Sequence, residues 1–177
     1  ADIITYPEID LFGYMKTDSG ERATTRSAVV RLSNAIALEP YTGDTDYLTN
    51  MGLAARAKGE DNSIAQSEIH QSFYAYTIAI DLDRIGVDEV NGKVISIDNT
   101  EKANRLKKFL DTVMFLYRDI KGRRENLSPV FTVGGIYDIK NPFFENRLQL
   151  FKGNLKIDII KQVIDSANSI KENTETG

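Results

Sequence analysis

The chain has no cysteine, no tryptophan and a single histidine, His70, among its 177 residues. Without cysteine there is neither a disulfide framework nor a thiolate metal site, and one imidazole cannot build a histidine cluster. No apolar run approaches the roughly 18 residues that a membrane-spanning helix needs, so no membrane partner is expected. The opening ADIITYPEID has no basic stretch leading into an apolar one and does not read as a secretory signal, which makes the cytoplasm the expected compartment. Also missing are G-x-x-x-x-G-K-[ST], G-x-G-x-x-G, H-E-x-x-H and G-x-S-x-G. The usual grounds for nucleotide hydrolysis, zinc proteolysis and serine-hydrolase chemistry go with them. The expectation is a protein that is not an enzyme, with no catalytic residue, no cofactor and no metal.

What is present suffices for one core: 41% of the residues are hydrophobic, in a length that suits one domain. The net charge is -4, from 22 Lys and Arg against 26 Asp and Glu. Such a balance argues against coating duplex DNA by charge alone. Charge is nevertheless uneven. Residues 101–125 hold eight Lys and Arg against four acids, which reads as a solvated helix face or as a localised basic surface.

Pro7 and Gly13 punctuate YPEIDLFGYM and predict a turn leading into a short strand. The run over 24–38 mixes β-branched and small residues and predicts an extended segment ended by Pro40 and Gly43. Residues 42–70 show no sustained period and predict a long loop, a length that inside a domain usually serves a function. In SFYAYTIAIDLDRI, Tyr74, Tyr76, Ile78, Ile80 and Leu82 alternate with small or polar residues, predicting a strand with Tyr74 and Tyr76 on its core face. A turn at Asn91 and Gly92 precedes a helix capped by Asp98 and Glu101, striped by Ala103, Leu106, Leu110, Val113 and Tyr117 and stopped near Lys121 and Gly122. SPVFTVGGIYDI predicts a second strand with a bulge at Gly134 and Gly135, and NPFFENRLQLF a shorter strand or crossing loop. A last helix spans about 154–169, and the tail KENTETG is expected to fray. The order predicts an α+β fold, an antiparallel sheet with helices on one face, compatible with ferredoxin-like and RNA-recognition-motif architectures.

The polar and basic series Lys16, Arg22, Arg26, Arg31, Asn34, Arg56, Lys58, His70 and Gln71 flanks or enters the loop, with Phe73, Tyr74 and Tyr76 just beyond. Cations take phosphates and rings take exposed bases, so this series points to single-stranded RNA. Asp44 and Asp46 in GDTD, and Asp81 and Asp83, are spaced to share a divalent cation, but the first pair also reads as an Asx-rich turn and the second as solvated strand-end positions.

The segments RSAVVRLSNAIALEPYTGDTDYLTN, EIHQSFYAYTIAIDLDRIG, DLFGYM and SPVFTVGGIYDIKNPFFENRLQL resemble the DevR family, the Cas-seven-type backbone subunits of type I CRISPR Cascade complexes. The resemblance covers most of residues 9–151. It implies a non-catalytic subunit that polymerises with other copies of itself along a guide RNA (crRNA), meets other Cascade subunits and reaches target DNA through the guide. It further implies a palm like the RNA-recognition motif over 1–177, with 42–70 as an inserted thumb. Arg26, Arg31, Ser33, Asn34 and His70 would then line the RNA path. Relative to the family, the resemblance implies a partial palm, without the N-terminal portion and with less chain after the last helix.

Two other functions remain open. Asp44 and Asp46 would serve a metal-dependent endoribonuclease of the kind found in related type III subunits. A DNA-binding autoregulator would match the role recorded in the family's name.

Overall fold

A computed structural model describes residues 2–17, 23–49, 64–90, 92–120 and 122–170. The first element corrects the expected turn. Helix α1, Pro7–Phe12, forms because proline suits the first helical position, while Glu8 and Asp10 in the first turn favour its dipole. Gly13, at φ 75°, ends the helix by donating its N–H to the Ile9 carbonyl. A side chain there would press on the Arg26 carbonyl. The expected strand follows as β1 (Tyr14–Lys16), antiparallel to β2 (Thr24–Arg26).

The segment over 24–38 is extended, as its residues predict, but in pieces: β2, β3 (Val30–Leu32) and β4 (Ile36–Ala37). The expected loop over 42–70 is in its described parts a pair of strands, β5 (Asp44–Thr49) and β6 (Ile64–Ile69). The strong strand of the sequence reading divides into β7 (Tyr74–Ala75) and β8 (Ile78–Ile80), followed by a 3₁₀ turn at Leu82–Arg84. These strands nest. β3 pairs with β8, β4 with β7 and β5 with β6, all antiparallel, so the chain runs out along one arm and returns along the other. Bonds from the Ser33 N–H to the Thr77 carbonyl (2.9 Å) and from the Leu38 N–H to the Phe73 carbonyl (2.8 Å) carry the ladder across the gaps.

The outgoing arm twice holds extra residues. Asn34 and Ala35 stand opposite Tyr76 alone, and residues 39–43 stand opposite 70–72. Such insertions bend and twist a ribbon locally. They also shift which side chains share a face, and so hide the period from a sequence reading.

Strands β9 (Val87–Val90) and β10 (Lys93–Ser96) form a hairpin with Gly92 at φ 73° in its turn. Helix α2, Asn99–Met114, starts where predicted, with the Asp98 carboxylate accepting the Glu101 N–H at 3.0 Å. It stops well before Gly122. That glycine, at φ 74°, serves the turn between β11 (Tyr117–Ile120) and β12 (Arg123–Asn126), so Tyr117 is a strand residue and no part of the helix stripe.

No strand forms in SPVFTVGGIYDI. Pro129 cannot donate to a ladder, and two adjacent glycines raise the entropic cost of ordering one. NPFFENRLQLF is a turn followed by β13 (Leu150–Phe151), which pairs with β14 (Asn154–Leu155) ahead of helix α3 (Ile157–Ser169). The tail 171–177 lies outside the described residues. The chain thus mixes helix and strand as an α+β protein does. In place of one continuous sheet, the described residues form seven two-stranded antiparallel pairs.

A small apolar core of Leu11, Val29, Val30 and Ile85 is packed by Ile78, Ile80, Leu106 and Phe109. Beside it Asp10 is wholly buried. Its carboxylate binds Arg26 Nη2 at 2.7 Å and Arg105 Nη1 at 2.9 Å, and accepts the Gly86 N–H at 2.8 and 3.0 Å. Arg26 also donates to the Val87 carbonyl (2.6 Å) and the Arg84 carbonyl (3.1 Å), and Arg105 to the Ile3 (2.6 Å) and Ile4 (2.8 Å) carbonyls. Burial works against the Arg105 charge, but the hydrogen bonds it donates to the Glu101 and Asp10 carboxylates overcome it and hold the guanidinium above its ordinary range.

Removing one partner from a buried ion network strands the others, so Asp10→Asn should lower unfolding free energy by about 3–5 kcal/mol in chemical denaturation. A loss below about 1 kcal/mol would mean that Asp10 is not the tie described.

Candidate functional site

The root of the long ribbon gathers charge. Arg31, in the middle of β3, has a side chain 55% exposed and ion-pairs with Asp81, at the far end of β8. Asp81 is held in place by its N–H, which donates to the Val29 carbonyl at 3.1 Å, and is nearly buried. Two further cations face it, Arg84 at 3.6 Å and Lys140 at 3.9 Å. Lys140 also binds both oxygens of Asp83 at 2.8 Å. Three cations therefore surround two carboxylates, leaving a surplus of one positive charge. The Lys140 hydrogen bond holds the Asp83 carboxyl below its ordinary value.

Two residues farther along, Ser33 is half-buried and accepts the Thr77 N–H on its hydroxyl at 2.8 Å, a staple across the first irregularity. Asn34, beside it in the bulge, is exposed. At the second irregularity His70 Nδ1 lies 2.7 Å from the Tyr74 hydroxyl, with its ring 5.0 Å from that of Tyr41. His70 Nε2 is buried with no partner. Gln71 is exposed next to it. Tyr74, expected in the core, is 46% exposed because the chain leaves the ladder at Tyr76 and its face turns outward.

The structure thus brings Arg31, Ser33 and Asn34 together at the root and His70 with Gln71 farther out on the same ribbon. Arg26 belongs elsewhere: at 7% exposure, with its guanidinium spent on Asp10 and backbone carbonyls, it is a tie of the interior that a ligand cannot reach. Lys16 is exposed on the separate β1–β2 hairpin. Arg22, Arg56 and Lys58 lie outside the described residues. Arg84 and Lys140 were not singled out in the sequence; their one signal is a cation near the Asp81/Asp83 pair, and only folding brings Lys140 there.

The ribbon beyond its root has a different character. Its described arms, 32–49 and 64–80, carry Glu39, Asp44, Asp46 and Glu68 and no lysine or arginine. Asp44 and Asp46 lie two apart on β5, on one face, opposite Ile69 and Ser67. Among the described residues no group of three or more His, Asp or Glu is placed to hold a metal ion. No described helix is long and apolar enough to cross a membrane. A groove of about 470 Å³ between the 141–147 turn and α3, lined in part by Asn146, Arg147, Gln162 and Ser166, contains none of the predicted residues.

Because Asp83 has a lowered pKa when folded, its contribution is present above the unfolded value and is lost as pH falls through the folded one. A carboxyl-detected NMR titration should place its midpoint below the ordinary aspartate range and return it upward in Lys140→Gln. An unchanged midpoint in that variant would dissolve the proposed charge cluster.

Comparison with protein families matches residues 1–152 to "CRISPR-associated negative auto-regulator DevR/Csa2". Comparisons with curated proteins and with solved structures return no match. The matched region takes in α1, the whole ribbon, the charge cluster at its root and α2. With most of its length accounted for in this way, the chain belongs to the CRISPR-associated DevR/Csa2 family.

Proposed function

We propose that the protein is a non-catalytic, guide-RNA-holding backbone subunit of a type I Cascade complex, with a palm of the RNA-recognition-motif kind and the ribbon as its thumb. The observation that carries this reading is the placement of Arg31, Arg84 and Lys140 at the root of a long insertion within the region matched to a CRISPR-associated family. A ribose-phosphate strand meets partly exposed cations at that root, and their carboxylate partners keep them aimed. Asn34 offers amide donors and acceptors from the bulge beside it. Arg56 and Lys58 supply the remaining cations from the part of the insertion between the two arms. The acidic stem repels phosphate, so the strand crosses the root of the ribbon instead of following the arms. Bases left unpaired along the path are then free to pair with target DNA.

Full-length protein should bind a repeat-spacer RNA with little sequence preference and with affinity that falls as salt rises. Arg31→Gln and Lys140→Gln should each weaken binding several-fold and reduce the salt slope by roughly 0.7, the value for one phosphate contact on a single strand, with the fold retained by circular dichroism. Salt-insensitive binding, or full affinity in both variants, would refute the reading. The family description favours a second function, autoregulation, which predicts preference for operator DNA over the RNA. Manganese-dependent RNA cleavage abolished by Asp44→Asn would instead establish the nuclease.

A further inference from the structure

Helix α2 carries two stripes, of which the described residues cover one. Arg105, Leu106 and Phe109 face inward, Arg105 onto Asp10 and the two apolar residues against the core. The second stripe is Ala103, Lys107, Leu110 and Met114, all exposed. Its steps of four, three and four residues lay these side chains along one line of the helix. Leu110 is 46% and Met114 51% exposed, and beyond them stands the C-cap, Phe115, at 77%. Tyr117, which opens β11, is 57% exposed.

Single exposed apolar residues are ordinary, but Leu, Met, Phe and Tyr grouped along one element form a surface that gains by being covered. Four-three spacing is the pattern against which a second helix packs its own side chains. Methionine and aromatic residues are also enriched where proteins meet. A polynucleotide finds rings to stack on only at Phe115 and Tyr117, and Arg124 already lies 4.9 Å from the Tyr117 ring centre. Charge narrows the partner further. With Glu101 and Arg105 bound to each other, α2 holds Lys102, Lys107 and Lys108 against Asp111, a surplus of two positive charges. The described residues of the β11–β12 hairpin add Arg118, Arg123 and Arg124 against Asp119 and Glu125, a surplus of one.

We infer that the exposed stripe of α2 is a docking surface for an amphipathic helix of another protein, one whose apolar side is flanked by glutamate or aspartate. Leu110, Met114 and Phe115 seat its apolar residues, and Lys107 and Lys108 meet its carboxylates. Arg118 and Arg124 pair with Glu125 at 2.6 Å and Asp119 at 2.8 Å across the hairpin. Both pairs are exposed, hold weakly and can exchange partners when further carboxylates arrive. The inference goes beyond guide holding, and the docking needs no RNA.

The test uses full-length, nuclease-treated protein and two synthetic helical peptides of about 20 residues, followed by fluorescence anisotropy. The peptides share one Leu/Phe stripe at heptad spacing and differ only in carrying glutamate or lysine on its flanks. The glutamate peptide should bind saturably, more weakly as salt rises, and about tenfold or more tighter than the lysine peptide. L110Q/F115Q should lose about tenfold or more in affinity for it. Circular dichroism and melting temperature should not change in that variant, since both side chains are exposed. K107E/K108E should reverse the preference, so that the lysine peptide binds the tighter of the two. Binding of neither peptide, equal binding of both, or wild-type affinity in L110Q/F115Q would each overturn the inference. An oligouridine measured in parallel separates the two readings. Loss of its binding in L110Q/F115Q assigns this surface to the RNA and overturns the docking. Peptide discrimination without any RNA binding sinks the guide-holding function alone, and RNA binding without discrimination sinks the docking alone.

Discussion

Everything described here hangs on one buried carboxylate. Asp10 draws two guanidiniums and a backbone amide to a single point, and through them joins the N-terminal turn, α1, β2, the 84–88 segment and α2. Burying such charges is expensive, and the hydrogen bonds that engage Asp10, Arg26 and Arg105 offset that cost. Gly86 is part of the fit. At φ 65° it turns its N–H to the carboxylate, and a side chain there would collide with Ile97. The apolar core is small, so this polar tie does much of the positioning that a larger core would otherwise do.

The tie also sets where the ribbon leaves the body. Arg26 is anchored three residues before Val29, which is fully buried, and Arg84 closes the 3₁₀ turn four residues after β8 ends, so both arms start from fixed points. Between those points lie Arg31 and Asp81, with Lys140 brought in from a distant loop. On the proposed function, these anchored roots are where a nucleic-acid strand would be held, at the base of irregular, exposed arms. The charge of the described ribbon changes along its length, cationic at the root and acidic on the stem.

Part of this was legible in the residues. The Asp98–Glu101 cap places the start of α2, and the last helix ends at Ser169 as expected, but it begins at Ile157 because Asn154 and Leu155 form β14. The family likeness of RSAVVRLSNAIALEPYTGDTDYLTN was also on view before any coordinates. The ribbon over 42–70 was not. DTDYLT and IAQSEI alternate only weakly, among the described residues each pairs solely with the other, and none of residues 44–47 or 66–69 is buried to give a period. Gly122 misled for a related reason: a left-handed glycine ends helices and turns hairpins alike. Arg26 looked like an RNA contact because a cation's environment is a long-range property. Its partner Asp10 is 16 residues away, and Arg105 lies 95 residues beyond Asp10.

The central claim is that nucleic acid crosses the root of the ribbon and not its stem. Photo-crosslinking of full-length protein to thiouridine-substituted guide RNA, with peptide mapping, tests it most directly. The account predicts adducts at residues 31–34 and beside Arg84 and Lys140, with none on the arms at Asp44, Tyr47 or Glu68. Adducts concentrated along those arms, with the root unmodified, would contradict it.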